Sequence, residues 1–132
     1  MTREENIIER IRNLLLTEYN EMIDADNRER NDGDEIGKLT DVFIESGTGR
    51  LPYARLSVKG GEHTEKDRIL KNVVYEISVR IVAQETRESW RSKARYRELL
   101  EKLIEAQRRD EAWESARMGI FRGDESIIRV KG

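Results

Sequence analysis

The residue best suited to acid–base or metal chemistry is His63, the single histidine of the chain. It stands beside Glu62 and close to Glu65 and Asp67, and imidazole and carboxylate groups together can hold a metal ion or move a proton. One histidine completes a metal site only where carboxylates converge on it from other elements, and the chain has no cysteine to supply a thiolate. We therefore interpret His63 as a solvated loop residue, and we expect no metal and no cofactor.

Other patterns resemble sites of phosphate or acid chemistry without completing one. Residues 47–50, Gly-Thr-Gly-Arg, lack the Gly-Lys-Ser/Thr ending of a phosphate-binding loop and precede a proline instead of a helix. The strands predicted below end in Glu45, Lys59 and Gln84, without the Glu-x-Lys arrangement that a metal-dependent nuclease gathers around its ion. Acidic residues are so numerous that no pair stands out as a glycosidase dyad. The sequence predicts a protein that is not an enzyme.

The strongest candidate for binding is a basic stretch over residues 87–97. Five cations alternate there with two aromatic residues: Arg87, Arg91, Lys93, Arg95 and Arg97 with Trp90 and Tyr96. This mixture suits phosphate and base contacts, but helical phase puts Arg87, Arg91 and Arg95 on an outer line that the aromatic residues do not share. Three interpretations stay open: a solvated face, a salt-bridged contact with an acidic neighbour, and the surface of a small nucleic-acid-binding module.

The length and composition of the chain limit the classes of protein to which these residues can belong. A chain of 132 residues has the length of one domain, so we expect residues 1–132 to form a single unit. With 25 Lys and Arg against 27 Asp and Glu, the net charge is −2, and any basic site must be local. The absence of cysteine excludes a disulfide scaffold. Since no apolar run or signal-peptide pattern is present, we expect a soluble protein that contacts no membrane.

Hydrophobic periodicity predicts two helices and several strands. The helices cover Ile7 to Ile23 and Thr86 to Arg109, the second with Tyr96, Leu99, Leu100, Leu103 and Ile104 on its core side. The strands cover residues 39–45, 53–59 and 72–84, and in the last of these Ile77, Val79 and Ile81 share the buried face. A closing hairpin over residues 113–130 turns at Gly123-Asp124 and sets Ile120 opposite Ile127.

These elements predict an α+β fold. It consists of a mainly antiparallel sheet of about four to five strands with two amphipathic helices packed on one face. Two segments lack apolar periodicity and are predicted as loops, an acidic mobile loop over residues 24–37 and a charged loop over residues 60–68.

The first helix is apolar over more of its surface than one core contact needs. Leu16, Tyr19 and Ile23 widen the stripe, and Leu16 and Ile23 lie nearly opposite Leu14 on a helical wheel. Either a loop of the same chain covers this second side, or another subunit does. The candidate interface consists of six residues: Leu16, Tyr19, Ile23, Arg87, Arg91 and Arg95.

The order and sizes of these elements resemble the tail-terminator, or tail-completion, proteins of long-tailed bacteriophages and prophages. The resemblance rests on the helix Ile7 to Ile23, the strand entered at Leu51-Pro52-Tyr53, the long strand Val73 to Ala83, the charged helix and the hairpin. It implies a structural subunit, in the virion or in the bacterial cytoplasm, that forms a usually hexameric ring on the tail tube and faces the head connector. The partners so implied are further copies of the chain, the tube and connector proteins, and DNA passing through the lumen without sequence-specific contacts.

Overall fold

A computed structural model describes residues 3–30, 35–62, 74–84, 89–110, 113–119 and 125–131. Helix α1 (Arg3–Leu14) continues through a π-helical segment (Leu15–Tyr19) into α2 (Asn20–Arg30). The remaining elements are β1 (Val42–Ile44), β2 (Tyr53–Glu62), β3 (Val74–Val82), α3 (Ser89–Arg109), β4 (Arg117–Met118) and β5 (Glu125–Lys131). The predicted α+β class is confirmed. Within these ranges, no helix is both long enough and apolar enough to cross a membrane.

The π-helical segment explains how the first helix carries so broad an apolar surface. Ile7, Ile11, Leu15, Tyr19 and Ile23 are all buried and stand four residues apart. In a regular α-helix with about 100° per residue, Ile23 would point roughly 160° away from Ile7. A π-bulge takes up one additional residue, which turns the side chains after it back by about 100°. Ile23 therefore returns to the core.

The five strands form one sheet in the order β1-β2-β3-β5-β4. β1 runs parallel to β2, and every other neighbouring pair is antiparallel, so the sheet is mainly antiparallel as predicted. Ile77 in β3 lies between Val58 of β2 and Ile128 of β5 and is fully buried. The predicted buried face of the long strand is thereby confirmed.

Helix α3 packs its predicted core line against the first helix and the sheet. Tyr96, Leu99, Leu100, Leu103 and Ile104 are all buried, and the helix ends at Arg109 as expected. Its predicted start at Thr86 falls in residues 85–88, which lie outside the described part of the chain. The Tyr19 hydroxyl donates a hydrogen bond to the Tyr96 carbonyl oxygen at 2.7 Å, which fixes α3 against the π segment.

The predicted acidic loop over residues 24–37 is wrong in its first half, because α2 continues to Arg30. The chain then returns along the helix and is held there by asparagine side chains. Asn27 accepts a hydrogen bond from the Ile36 amide and donates one to its carbonyl, at 3.1 and 2.8 Å, and Asn20 binds Leu39 in the same way. Ile36 and Leu39 are buried. Of the two alternatives for the wide apolar helix, the structure shows cover by its own chain.

Two further predictions need correction at strand ends. β2 continues through Gly60 to Glu62, so these residues belong to a strand and not to the predicted charged loop over residues 60–68. His63 and the remainder of that loop lie outside the described residues. In the closing hairpin, the Gly119 amide donates to the Ile127 carbonyl oxygen at 2.6 Å, so Ile127 faces Gly119 and not Ile120. The predicted register is thus off by one residue.

Strand β1 forms one edge of the sheet, and side chains form hydrogen bonds with the backbone amide and carbonyl groups that point away from the sheet. Arg12 of α1 donates from Nε to the Val42 carbonyl oxygen at 3.2 Å. Asp41 accepts from the Val42 amide through Oδ1 at 2.7 Å. These contacts attach the end of α1 to the edge of the sheet.

Candidate functional site

The face of the sheet opposite the helices carries alternating polar side chains. Strand register places polar residues from four strands on this open sheet face: Arg55, Ser57 and Lys59 of β2, Glu76, Ser78 and Arg80 of β3, Arg117 of β4, and Glu125, Arg129 and Lys131 of β5. Five apolar or aromatic residues share the face with them: Phe43, Tyr53, Val74, Val82 and Ile127. The opposite face of the same strands contributes to the apolar core. Sequence alternation alone indicates such a polar face, but it does not reveal which side chains become neighbours.

Glu125 is the centre of an ionic cluster that joins three strands. Its carboxylate accepts a hydrogen bond from the Ser78 hydroxyl at 2.6 Å and lies 3.1 Å from Lys59 Nζ and 3.7 Å from an Arg80 nitrogen. The hydrogen bonds from Ser78 and Lys59 lower the pKa of Glu125, against an opposing contribution from burial. The carboxylate therefore stays ionised at neutral pH and orders the cations around it. A second pair, Arg129 with Glu76 at 3.1 Å, lies on the same face.

At two places in the sheet, an arginine stands directly opposite another arginine on the neighbouring strand. Arg55 of β2 faces Arg80 of β3, and Arg117 of β4 faces Arg129 of β5. Like charges in directly opposed positions destabilise a sheet. Arg55 donates to the Gly47 carbonyl oxygen at 2.7 Å, and Arg117 donates to two carbonyl oxygens of its own loop. Carbonyl groups thus hold Arg55 and Arg117 in place without neutralising their charge, whereas the arginines opposite them are paired with the carboxylates of Glu125 and Glu76.

The turn that receives Arg55 depends on a glycine. Gly47 has φ of 138°, and a Cβ built there would lie 2.6 Å from the Phe43 ring. Phe43 in turn packs edge-to-face on Tyr53 with ring centroids 5.5 Å apart. The Arg55 guanidinium lies 5.8 Å from the centre of the Tyr53 ring. The position of Arg55 is therefore fixed by the Gly47 carbonyl and by the Tyr53 ring.

Cations outnumber carboxylates on the open sheet face. Among its strand residues with described side chains, the cations are Arg55, Lys59, Arg80, Arg117, Arg129 and Lys131, and the acids are Glu76 and Glu125. This excess of four positive charges contrasts with the net charge of −2 for the whole chain. Sequence analysis missed this site, because its members are dispersed from residue 55 to residue 131 and only the strand register brings them together.

The basic residues that were predicted on one outer line of the helix have different environments in the structure. Arg95 is buried and donates two hydrogen bonds to Asp26 Oδ2, at 3.2 and 2.6 Å, and one to Asn27 Oδ1 at 3.0 Å. Its expected place on the outer line is therefore wrong, and for this residue the salt-bridged contact with an acidic neighbour is confirmed. Arg91 is exposed, with its guanidinium 5.2 Å from the Trp90 ring centre. Arg87 lies outside the described residues.

The apolar members of the candidate interface belong to the core of the subunit. Tyr19 and Ile23 have no exposed surface, and Leu16 is partly buried against the same core. Tyr19 and Ile23 therefore cannot touch a partner while the subunit keeps this fold. The premise that they lie on an outer side is wrong, since it assumed a regular α-helix without the π segment.

Two of the three exposed large apolar side chains among the described residues, Leu51 and Trp90, lie near the place where β2 begins and α3 begins, and the third is Ile44 of β1. A cleft of about 230 Å³ opens there beside the first turns of α3, and it is lined by Glu35, Ile36, Gly37, Leu51, Pro52, Ala83, Gln84, Ser92 and Tyr96. Leu51 is 44% exposed. Trp90, two residues before the lining residue Ser92, is 64% exposed. We call Leu51 and Trp90 the apolar end, and the cleft beside them has a mixed polar and apolar lining.

Among the described residues, no three His, Asp or Glu side chains lie close enough together to hold a metal ion. The hydroxyl groups of Tyr19 and Tyr96, which are among the buried polar atoms, are both used in hydrogen bonds to carbonyl groups.

Comparison with protein-family models matches residues 18–86 to the PRC-barrel domain. The match covers just over half of the 132 residues and includes α2, β1, β2 and β3. No curated protein and no solved structure matches the chain significantly. The chain therefore belongs to the PRC-barrel domain family.

Proposed function

We propose that the chain is a non-catalytic structural subunit of a ring that caps the tail tube of a long-tailed phage or prophage and joins it to the head connector. The observation that carries this proposal is the apolar end. A tryptophan with 64% of its surface exposed and a leucine with 44% are both costly in water. Tryptophan is also strongly enriched among the residues that dominate the energy of protein interfaces. The apolar end is therefore the contact with the next subunit.

Ring formation needs two different surfaces on each subunit, because a cyclic assembly is built from head-to-tail contacts. The apolar end supplies one of them. Each contact can be weak in the free subunit, since subunits that are held side by side on a tube gain from their high local concentration. We expect the isolated protein to be monomeric or weakly associated, and to form the ring on tail tubes.

Substitutions at the apolar end test this proposal. Trp90→Glu and Leu51→Glu should leave the circular dichroism spectrum unchanged and abolish co-sedimentation with cognate tail tubes. Ala94→Glu is the matched control, because Ala94 is exposed one turn further along α3 and receives the same charge. If both variants co-sediment like the wild type, the apolar end is not an interface. If the wild type does not bind tubes at all, the tail-terminator assignment is refuted.

The alternative function, nucleic-acid binding through the helix over residues 87–97, loses support from the geometry around Arg95. That side chain is committed to Asp26 and is 9% exposed, so it cannot reach a phosphate. Arg91 lies against Trp90, which we assign to the apolar end. A nucleic acid would find a more suitable surface on the sheet.

A further inference from the structure

We propose that the open sheet face binds the phosphate backbone of duplex DNA through Arg55 and Arg117. The arginines that stand opposite them, Arg80 and Arg129, are already paired with the carboxylates of Glu125 and Glu76. Among the described residues, Arg55 and Arg117 contact uncharged groups, so their positive charge is not neutralised there and each can bind a phosphate. The planar fork of arginine matches phosphate oxygens well. This inference does not depend on ring assembly.

The separation of Arg55 and Arg117 identifies a polymer as the ligand. Their backbone positions are three strand spacings and four residues apart, which corresponds to about 20 Å. A single phosphate cannot bind both guanidinium groups, whereas a phosphodiester chain brings a separate phosphate to each. Glu76 and Glu125, on the two strands between them, order the neighbouring cations without cancelling the excess of positive charge.

The character of the face favours nucleic acid over an acidic protein. The exposed large apolar side chains of the described residues are Ile44, Leu51 and Trp90, and none of them is on this face. Protein interfaces have a buried core rich in aromatic and apolar residues. Interfaces with DNA are more polar and much more positively charged. The open sheet face is polar and positively charged, as a DNA interface is.

The aromatic residues of this face favour a duplex over a single strand. Tyr53 is buried, and Phe43 packs edge-to-face against it, so neither ring offers an open surface for base stacking. Proteins that hold single strands depend on such stacking platforms. Contacts to the backbone alone carry no sequence information, so binding should be independent of sequence.

The test is fluorescence anisotropy with a labelled DNA duplex of about two helical turns, using the full chain. An excess of four cations predicts about four phosphate contacts, which would weaken binding roughly 150-fold between about 50 and 200 mM salt. A second duplex of unrelated sequence should bind equally well. The inference is overturned if the wild type does not bind either duplex at about 50 mM salt, or if a single strand binds more tightly.

The decisive variant is the double substitution Arg55→Gln with Arg117→Gln, which removes both of the proposed phosphate contacts. It should lower the slope of log affinity against log salt by about two. The control is Lys102→Gln with Arg109→Gln, which removes equal charge from exposed positions on α3. Equal binding by the variant and the control would overturn the inference.

A second variant is needed because substitution of Arg55 also removes its hydrogen bonds to the Gly47 carbonyl oxygen in the neighbouring turn. Arg117→Gln with Lys131→Gln removes two charges from the same face without touching Arg55, and should lower the slope equally. Competition by polyglutamate as strong as competition by DNA would assign the face to an acidic protein instead. Trp90→Glu should keep full DNA affinity, so failure of ring assembly and failure of DNA binding are distinguishable.

Discussion

The ion pair between Arg95 and Asp26 should be the most sensitive polar contact in the fold. The two side chains are 9% and 18% exposed, and Arg95 donates two hydrogen bonds to one carboxylate oxygen. Asp26→Asn keeps the shape of the side chain and removes its charge. The guanidinium then loses the charged carboxylate that accepts two of its hydrogen bonds, which is the costly case of a buried ion pair with one partner removed.

The magnitude follows from the burial. Removing one partner of a fully buried ion pair costs about 3–5 kcal/mol, and a charge-assisted hydrogen bond contributes about 1.5–3 kcal/mol. Because Asp26 keeps some contact with solvent and Asn27 still accepts from Arg95, we expect the lower end, a loss of about 2–3 kcal/mol. For a chain of this length that corresponds to a fall in melting temperature of roughly 10 °C.

The same pair predicts a dependence on pH. Burial on its own raises the pKa of Asp26, but hydrogen bonds and charge from Arg95 and Arg30 outweigh it, so the pKa lies below its ordinary value. A carboxyl group with a depressed folded pKa stabilises the protein fully above its unfolded pKa of about 3.9. This stabilisation is lost as the pH falls through the folded value. Asp26→Asn should therefore remove part of the acid sensitivity.

Urea denaturation at neutral pH and near pH 3 measures both effects. Asp24→Asn is the matched control, since Asp24 is on the same helix but pairs with Lys38 at 3.4 Å in an exposed position. We expect the control to change the free energy of unfolding by less than about 0.5 kcal/mol. The reasoning is refuted if Asp26→Asn is as stable as the control at neutral pH.

Three further substitutions test other parts of the fold. Ile77→Asp puts an unpaired charge into the buried face of the sheet and should cost about 4 kcal/mol or more; a well-dispersed amide spectrum would contradict this. Tyr19→Phe removes the hydroxyl that donates to Tyr96 and should lower the free energy of unfolding by about 1 kcal/mol in urea titrations. His63→Ala should leave stability and sedimentation unchanged, and stoichiometric zinc binding that is lost in this variant would show that the histidine is a ligand.

Periodicity was sufficient to predict the elements that form the core. The spacing from Tyr96 to Ile104 identifies one face of α3, and the alternation from Ile77 to Ile81 identifies one face of β3, and all these residues are buried. Such patterns are reliable because each reflects burial along a single regular element. They depend on no other part of the chain.

The sites depend on relations between elements, which periodicity does not contain. Arg95 lies on the outer line of an isolated helix, but α2 extends far enough to bring Asp26 against it. The opposition of Arg55 and Arg80 depends on strand register, in which a shift of one residue would move every side chain to the other face. The π segment did leave a signal, since Ile7 to Ile23 repeat strictly every four residues instead of alternating threes and fours.

The contact between Arg12 and the edge of β1 has a consequence for how the protein behaves at high concentration. A bare strand edge can pair with the same edge of another molecule and start the growth of fibrils. Here the outward carbonyl and amide of Val42 are already occupied by Arg12 and Asp41, and Arg12 adds a charge that an incoming strand would have to desolvate. The opposite edge strand, β4, has only two residues. Pairing between copies of this chain through the backbone is thus hindered at both described edges of the sheet.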